Sequence, residues 1–164
     1  MALNMVLTTI IGQCVGANRY DRAKDYLKCA LGHGCGLLVI LSVVVVGFSR
    51  QLSGLFVRSE DVAAIVGTYF LIVSIGYILN TVTNCYLGSL NGMGKPSKSM
   101  FLMIFYYIVV RMPLAYLLSY LGFGLNGIWV AVLISHVVAS AAASISGTIS
   151  VSYTHLRAHE TLMN

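Results

Sequence analysis

Residues 85–110 read CYLGSLNGMGKPSKSMFLMIFYYIVV. An apolar run ends in a Gly-Pro turn that carries Lys95 and Lys98, and a second apolar run begins at once. A helix needs about 20 apolar residues to cross a bilayer, and both flanking runs extend that far. Read this way, the stretch is a loop between two membrane spans, and the fold follows from asking how often the arrangement recurs.

It recurs along the whole chain. Four spans are expected, from about Tyr26 to Ser49, Asp61 to Leu90, Lys98 to Tyr120 and Leu125 to Ile149. Residues 1–16 are too short to span and read as the last part of a helix. The predicted class is therefore all-α, a polytopic membrane helix bundle. Composition agrees: of 164 residues 58% are hydrophobic and 9% charged, where a soluble domain carries about 25% charge. The net charge of +5 does not indicate nucleic acid, because the basic residues form short clusters between apolar runs rather than one face. No secretory leader pattern is visible. Cys14, Cys29, Cys35 and Cys85 lack metal-ligand spacing and read as buried thiols.

The loops set an orientation. ANRYDRAKDYLK carries Arg19, Arg22, Lys24 and Lys28, and the Gly-Pro turn carries Lys95 and Lys98; SRQLSGLFVRSED has only Arg50 and Arg58, and SYLGFGLNG has none. Ser59 is placed to cap the following helix, with Glu60 and Asp61 in its first turn. The excess of cations assigns the first and third loops, and the end of the fourth span, to the cytoplasm.

Polar groups inside spans are candidates for function because burying them in lipid costs free energy. Arg111, in YYIVVRMPLAYLL, is the one charge deep in a span. It either meets an anionic group in a cavity, snorkels to the surface, or binds the Val109 carbonyl that Pro113 leaves without a donor. His33 and His136 are proton-relay candidates or neutral groups bonded to a neighbouring helix. Tyr77, Asn80 and Asn84 share one helical face, flanked by Thr81, and either line a water-filled cavity or bridge helices. Gly32 and Gly36 with Cys29, and AAASISG near the end, are small-residue ridges suited to close helix contact. Tyr106 and Tyr107 read as core or interface aromatics. None of the five acids lies well inside a span. No nucleophile-base pair, P-loop or HExxH motif is present, so no enzyme is expected.

Three stretches together resemble the multidrug and toxic compound extrusion (MATE) family. GQCVGANRYDRAK contributes Gly12, Gln13, Gly16, Ala17, Arg22 and Ala23. YLGSLNGMGKPSKS is similar to a Gly-x-Gly-x-Pro turn, with Gly92, Gly94 and Pro96 shaping it. RMPLAYLL followed by GLNGIWVAVLISH supplies Arg111 and Pro113, then Gly127, Trp129 and Ala131. The resemblance covers residues 1–150. It implies a twelve-helix, two-lobed antiporter in the bacterial inner membrane that exports small amphipathic or cationic compounds against Na⁺ or H⁺. This chain would supply the end of helix 8 and helices 9–12, with an N-terminal lobe of helices 1–7 as its partner. No cofactor is implied beyond the coupling cation. Where the sodium-coupled branch has an acid in helix 10, counting back from Leu90 reaches Asn80, an amide that carries no proton. Coupling is then expected to depend on a carboxylate of the N-terminal lobe. The competing expectations are a lipid-linked oligosaccharide flippase of the same superfamily and a membrane subunit that transports nothing.

Residues 151–164, VSYTHLRAHETLMN, break the pattern. His155 and His159 are four apart beside Glu160, as metal ligands often are, but two imidazoles and one carboxylate make a thin ligand set. Residues 151–161 resemble the in-frame translation of a transposase-based sequencing adaptor, so the expectation is a non-native tail and a chain truncated at both ends.

Overall fold

The computed structural model describes residues 2–56 and 60–163, with side chains at 2–49, 51–54, 62 and 65–150. Every regular element among the described residues is helical. The order is α1 (Ala2–Gly16), α2 (Tyr20–Gly47), α3 (Ser49–Phe56), α4 (Glu60–Gly92), α5 (Pro96–Ile104), a π-helical segment (Phe105–Arg111), α6 (Met112–Leu118), a second π segment (Ser119–Phe123) and α7 (Gly124–Met163). The tail backbone continues α7, and the side chains of His155, His159 and Glu160 lie outside the described residues, as does the cap assigned to Ser59.

Three helical stretches are long and apolar enough to cross a membrane: Tyr20–Gly47, Ile65–Gly92 and Pro96–Ser150. The last is 55 residues long and reverses on itself. Gly122 (φ 87°) and Gly124 (φ 53°) leave helical geometry, conformations that cost a Cβ-bearing residue about 1–2 kcal/mol. Arg111 thereby comes within hydrogen-bonding distance of Ser135 and His136, 24 and 25 residues further on.

The helices start earlier than the expected spans. Asp21, Arg22, Lys24 and Asp25 lie in the opening turns of α2 rather than in a loop, and α3 occupies much of the second loop. A 28-residue helix is longer than the bilayer core requires, so its charged first turns extend beyond the apolar layer. Only Ala17–Arg19 and Met93–Lys95 separate the helices at the two basic loops. Both turns end a helix in the same way. Asn18 N–H donates to the Val15 carbonyl (3.0 Å) and Arg19 N–H to that of Cys14 (2.8 Å), around Asn18 at φ 56°. Gly94 N–H donates to Asn91 (3.0 Å) and Lys95 N–H to Leu90 (2.9 Å), around Gly94 at φ 71°. These are Schellman closures, which satisfy the last carbonyls with a left-handed residue after the helix. Pro96 then opens α5 at its first position, where the missing N–H costs nothing.

α4 is the central helix, packed against α1, α2, α3 and α7. Thr83, Cys85, Leu87, Ser89 and Leu90 are buried on its last turns. α1 lies against this end at backbone distance. A Cβ at Gly88 would stand 2.6 Å from the Asn4 carbonyl oxygen, and one at Gly92 would stand 2.8 Å from that of Thr8 and 3.1 Å from the Gly12 nitrogen. Gly12 and Gly92, drawn from separate motifs, are thus two sides of one helix crossing. Two hydrogen bonds cross the same contact, Asn4 Nδ2 to the Asn84 carbonyl and Thr8 Oγ1 to the Gly88 carbonyl, both 3.2 Å. On the α7 side of α4, Ala139 and Ala143 are buried and Gly147 faces the Tyr86 ring. The AAASISG ridge therefore packs as its composition predicts.

The GHGCG ridge does not. A Cβ at Gly32 or Gly36 would meet nothing within 4 Å, whereas one at Gly34 would meet Leu3 at 3.0 Å and Thr81 at 3.2 Å. Cys29 is exposed, and only Cys85 of the four thiols is buried. α2 turns the opposite face inward because Ala23, Leu27 and Gly34 form its buried line. Beyond Lys28 much of the α2 surface, including Leu37, Ile40 and Val43, is apolar and exposed, as expected of a helix in lipid or under other membrane helices.

Candidate functional site

Beyond the α1 crossing, a cleft of about 360 Å³ lies between α4, α7 and the first π segment. α4 lines it with Tyr69, Ile72, Val73, Gly76, Tyr77 and Asn80, which recur every three or four residues and so form one stripe. α7 contributes Trp129, Val132, Leu133 and His136 by the same periodicity, and the π segment contributes Tyr107 and Arg111. The walls are apolar and aromatic, with a few convergent polar groups, as small-molecule sites usually are.

Arg111 is the only formal charge among these lining residues. Its Nε donates to Ser135 Oγ at 3.0 Å and its Nη2 to His136 Nε2 at 3.2 Å. Ser135 in turn donates to the Val132 carbonyl at 2.7 Å. The guanidinium also lies over the Tyr107 ring, 4.6 Å from its centroid, an attractive cation–π placement. Arg111 therefore neither snorkels nor serves the Val109 carbonyl; it reaches across to α7. A guanidinium only donates, so Nε2 of His136 accepts, and the imidazole is neutral with its proton on Nδ1. Nδ1 is buried with no hydrogen-bond partner among the described residues. His136 is thus bonded to a neighbouring helix. His33 is bonded within its own, through Nδ1 to the Cys29 carbonyl at 2.9 Å.

The π geometry places Arg111. Pro113 cannot donate to the preceding turn, and the chain before it widens to the i→i+5 pattern over Phe105–Arg111. Such segments are recurrent at functional sites because they re-aim side chains. Here Tyr107 and Arg111 reach the cleft, while Tyr106 is 4% exposed and packs in the core. Gly76 permits the approach of α7, since a Cβ there would lie 3.4 Å from the His136 ring.

Of the three residues on the polar stripe, Tyr77 and Asn80 line the cleft. The Asn84 side chain instead donates back to the Asn80 carbonyl at 2.8 Å, and the Asn84 carbonyl accepts from Asn4. Seven residues of helix separate Tyr77 from Asn84 by about 10 Å along the axis, which takes Asn84 out of the cleft and into the α1 contact. Gly12 and Gly92 lie at that contact and Gly94 and Pro96 form the turn; Gln13 accepts the Ala17 N–H at 3.0 Å as α1 closes, and Gly16 has open space around it. Sequence reasoning did not assign Tyr69, Ser135 or Trp129 to the site. Tyr69 and Trp129 stack across its wall with centroids 5.2 Å apart. The available signal was periodicity, since Trp129, Leu133 and His136 fall on one face of α7.

Fold and cleft together define an all-α bundle with helices long and apolar enough to cross a membrane and an amphipathic cleft open along its side. The MatE family profile matches residues 1–117, and the chain belongs to that family. It is 30% identical over 145 residues to the probable multidrug resistance protein NorM of Pasteurella multocida, covering 85% of this chain and 31% of that protein. It is 29% identical over 133 residues to the uncharacterized transporter YisQ of Bacillus subtilis, covering 79% of this chain and 29% of that protein. The chain thus spans about a third of the length of the curated relatives it matches. A multidrug resistance MATE family transporter of the MOP superfamily has been solved in outward-facing and inward-facing conformations. This chain superposes on them with TM-scores of 0.82 and 0.83, at 20% identity, covering 91% and 93% of this chain and 34% and 36% of those chains.

Proposed function

We propose that these residues are the C-terminal-lobe part of a twelve-helix efflux antiporter that exports small amphipathic compounds against an inward Na⁺ or H⁺ gradient. The match of residues 1–117 to the MatE family carries the reading. In this reading α1 is the end of helix 8 and the remainder supplies helices 9–12, with the 55-residue stretch counted as two crossings. The Arg19 and Lys95 turns face the cytoplasm, and residues 151–164 are a non-native tail. The cleft forms one wall of the transport cavity, and an N-terminal lobe of helices 1–7 forms the other. Asn80 stands in the cleft where an acid would be needed to carry a proton from this side, so the coupling carboxylate belongs to the N-terminal lobe. Alternating access is rocking of one lobe against the other.

The test is transport by the full-length protein in vesicles with imposed Na⁺ or H⁺ gradients, read with fluorescent amphipathic dyes. Gradient-driven dye export that survives Asn80→Ala is the expected result. Export lost in Asn80→Ala and recovered only in Asn80→Asp would move coupling into this lobe. No gradient-driven movement of any solute would leave the non-transporting subunit as the better reading.

A further inference from the structure

We propose that the cleft is an oxyanion subsite, in which Arg111 holds the carboxylate or phosphate group of an acidic amphiphile whose hydrocarbon part lies along the apolar walls. This rests on the transporter reading and deepens it by naming a substrate class. The argument begins with the donors of one side chain. A guanidinium has five N–H groups. Nε and Nη2 each spend one, on Ser135 and His136, both uncharged. These two donors lie on the side edge of the fork. The end-on edge, formed by Nη1 and the second N–H of Nη2, has no hydrogen-bond partner among the described residues, and Arg111 lines the cleft. That edge matches two oxygens of a carboxylate or phosphate in parallel geometry.

Charge balance points the same way. Among the described residues no carboxylate lines the cleft, and none of them neutralises Arg111. An unpaired cation in a low-dielectric cavity is costly, and a partner that brings a negative charge removes the cost. The surroundings also fix the side chain. Tyr107 lies under the plane of the guanidinium, and the two α7 bonds hold one edge. A cation restrained on one edge and one face loses little freedom when the remaining edge binds, which favours a binding role. Tyr77 and Asn80 supply neutral polar groups in the same cleft. Ile72, Val73, Val132 and Leu133 supply an apolar surface beside them.

The experiment uses the full-length transporter in neutral phosphatidylcholine vesicles and three dansyl-alkyl probes of equal length, ending in a carboxylate, a carboxamide or an amine. Binding and export of the carboxylate are expected to exceed those of the carboxamide by roughly 10- to 100-fold, the worth of a charge-assisted bidentate contact. Arg111→Lys should keep part of this preference and Arg111→Gln should abolish it. Should Arg111→Gln fail to fold, Asn80→Asp gives the second reading: an acid in the same cleft repels the carboxylate and competes for Arg111, lowering carboxylate affinity at least tenfold. Adding phosphatidic acid separates the sources of the oxyanion: competition with the probe identifies a lipid headgroup, and its absence identifies a free amphiphile, either in keeping with the site. A wild-type protein that exports amine and carboxamide as well as carboxylate, or a preference unchanged by these substitutions, overturns the proposal while leaving the transporter reading intact. Failure to move any of the three probes under either gradient counts against the transporter reading itself, and the binding comparison still decides the subsite.

Discussion

Gly88→Ala should loosen the lobe at the crossing of α1 and α4. The added methyl would stand 2.6 Å from the Asn4 carbonyl oxygen, 3.0 Å from its Cα and 3.2 Å from its carbonyl carbon, all of them backbone atoms. No rotamer change relieves such a contact. α1 must retreat by about 0.8 Å to reach ordinary separation. That movement stretches the two 3.2 Å bonds, Asn4 to Asn84 and Thr8 to Gly88, beyond hydrogen-bonding range. Overpacking costs about 1–3 kcal/mol, and each interhelical bond in a membrane protein about 0.6 kcal/mol. Alanine returns about 1 kcal/mol of helix propensity. The net loss is roughly 1–3 kcal/mol. Gly36→Ala is the control, because a Cβ at Gly36 meets nothing within 4 Å and only the propensity gain remains.

The assay is alkylation of Cys85 in the full-length protein with every other cysteine, Cys14, Cys29 and Cys35 among them, replaced by serine. Cys85 is fully buried in the cluster formed with Leu7, Ile11, Ala23 and Leu27, so its labelling reports opening of this packing. If labelling proceeds through local opening, Gly88→Ala should accelerate it by about 5- to 150-fold, with a fall in Tm, and Gly36→Ala should neither accelerate labelling nor lower Tm. Equal labelling rates in the two variants would refute the backbone-contact account of this crossing.

Other substitutions address the turns and the contacts of α7. Gly94→Ala should lower Tm by the cost of a left-handed alanine, about 1–2 kcal/mol, whereas Asn18→Gly, at the equivalent place in the first turn, should be neutral or stabilising; thermal melts of the two decide it. Gly147→Ala should destabilise by driving a methyl into the Tyr86 ring, and Tyr86→Ala should relieve that cost in the double variant, a coupling readable in a double-mutant cycle of Tm values. His136→Leu removes the acceptor of Arg111 Nη2 and should lower stability by roughly 0.5–2 kcal/mol, while Ser140→Ala, whose hydroxyl bonds only within its own helix turn, should have a smaller effect.

The all-α membrane-spanning class and the places of the two basic turns were legible because apolar runs and clustered cations survive any uncertainty about packing. Which face of a span turns inward was not. α2 is apolar on nearly every side after Lys28, so its periodicity carries no direction, and the Gly32–Gly36 ridge was as plausible an interface as Gly34. Composition likewise could not reveal that Asn18, in ANRYDR, closes α1 as Gly94 closes α4. Asn tolerates left-handed geometry, but nothing in the run demands it. Arg111 was legible as an exceptional residue and illegible as a contact, since its partners are 24 and 25 residues away and meet it only because the chain reverses at Gly122 and Gly124. The polar stripe of α4 was correct as a face and too long as a site. One face of a long helix crosses two environments, the cleft at Tyr77 and Asn80 and the α1 contact at Asn84.

The two environments divide the work of the lobe. At the basic-turn end, glycines at positions 12, 88 and 92 bring α1 and α4 to backbone distance, where any displacement meets main chain rather than adjustable side chains. At the cleft, Arg111 joins the π segment to α7 through side-chain hydrogen bonds to Ser135 and His136 and lies over the Tyr107 ring. Side-chain contacts can exchange partners without moving a helix; backbone contacts cannot. A lobe built this way is stiff at its base and chemically adjustable in its cleft. On the proposed transport reading, that contrast bears on Gly88→Ala. Loosening the base should slow gradient-driven export while leaving the carboxylate-over-carboxamide preference in place, because the preference resides in the cleft. A variant that lost the preference and kept the export rate would place the two functions the other way round.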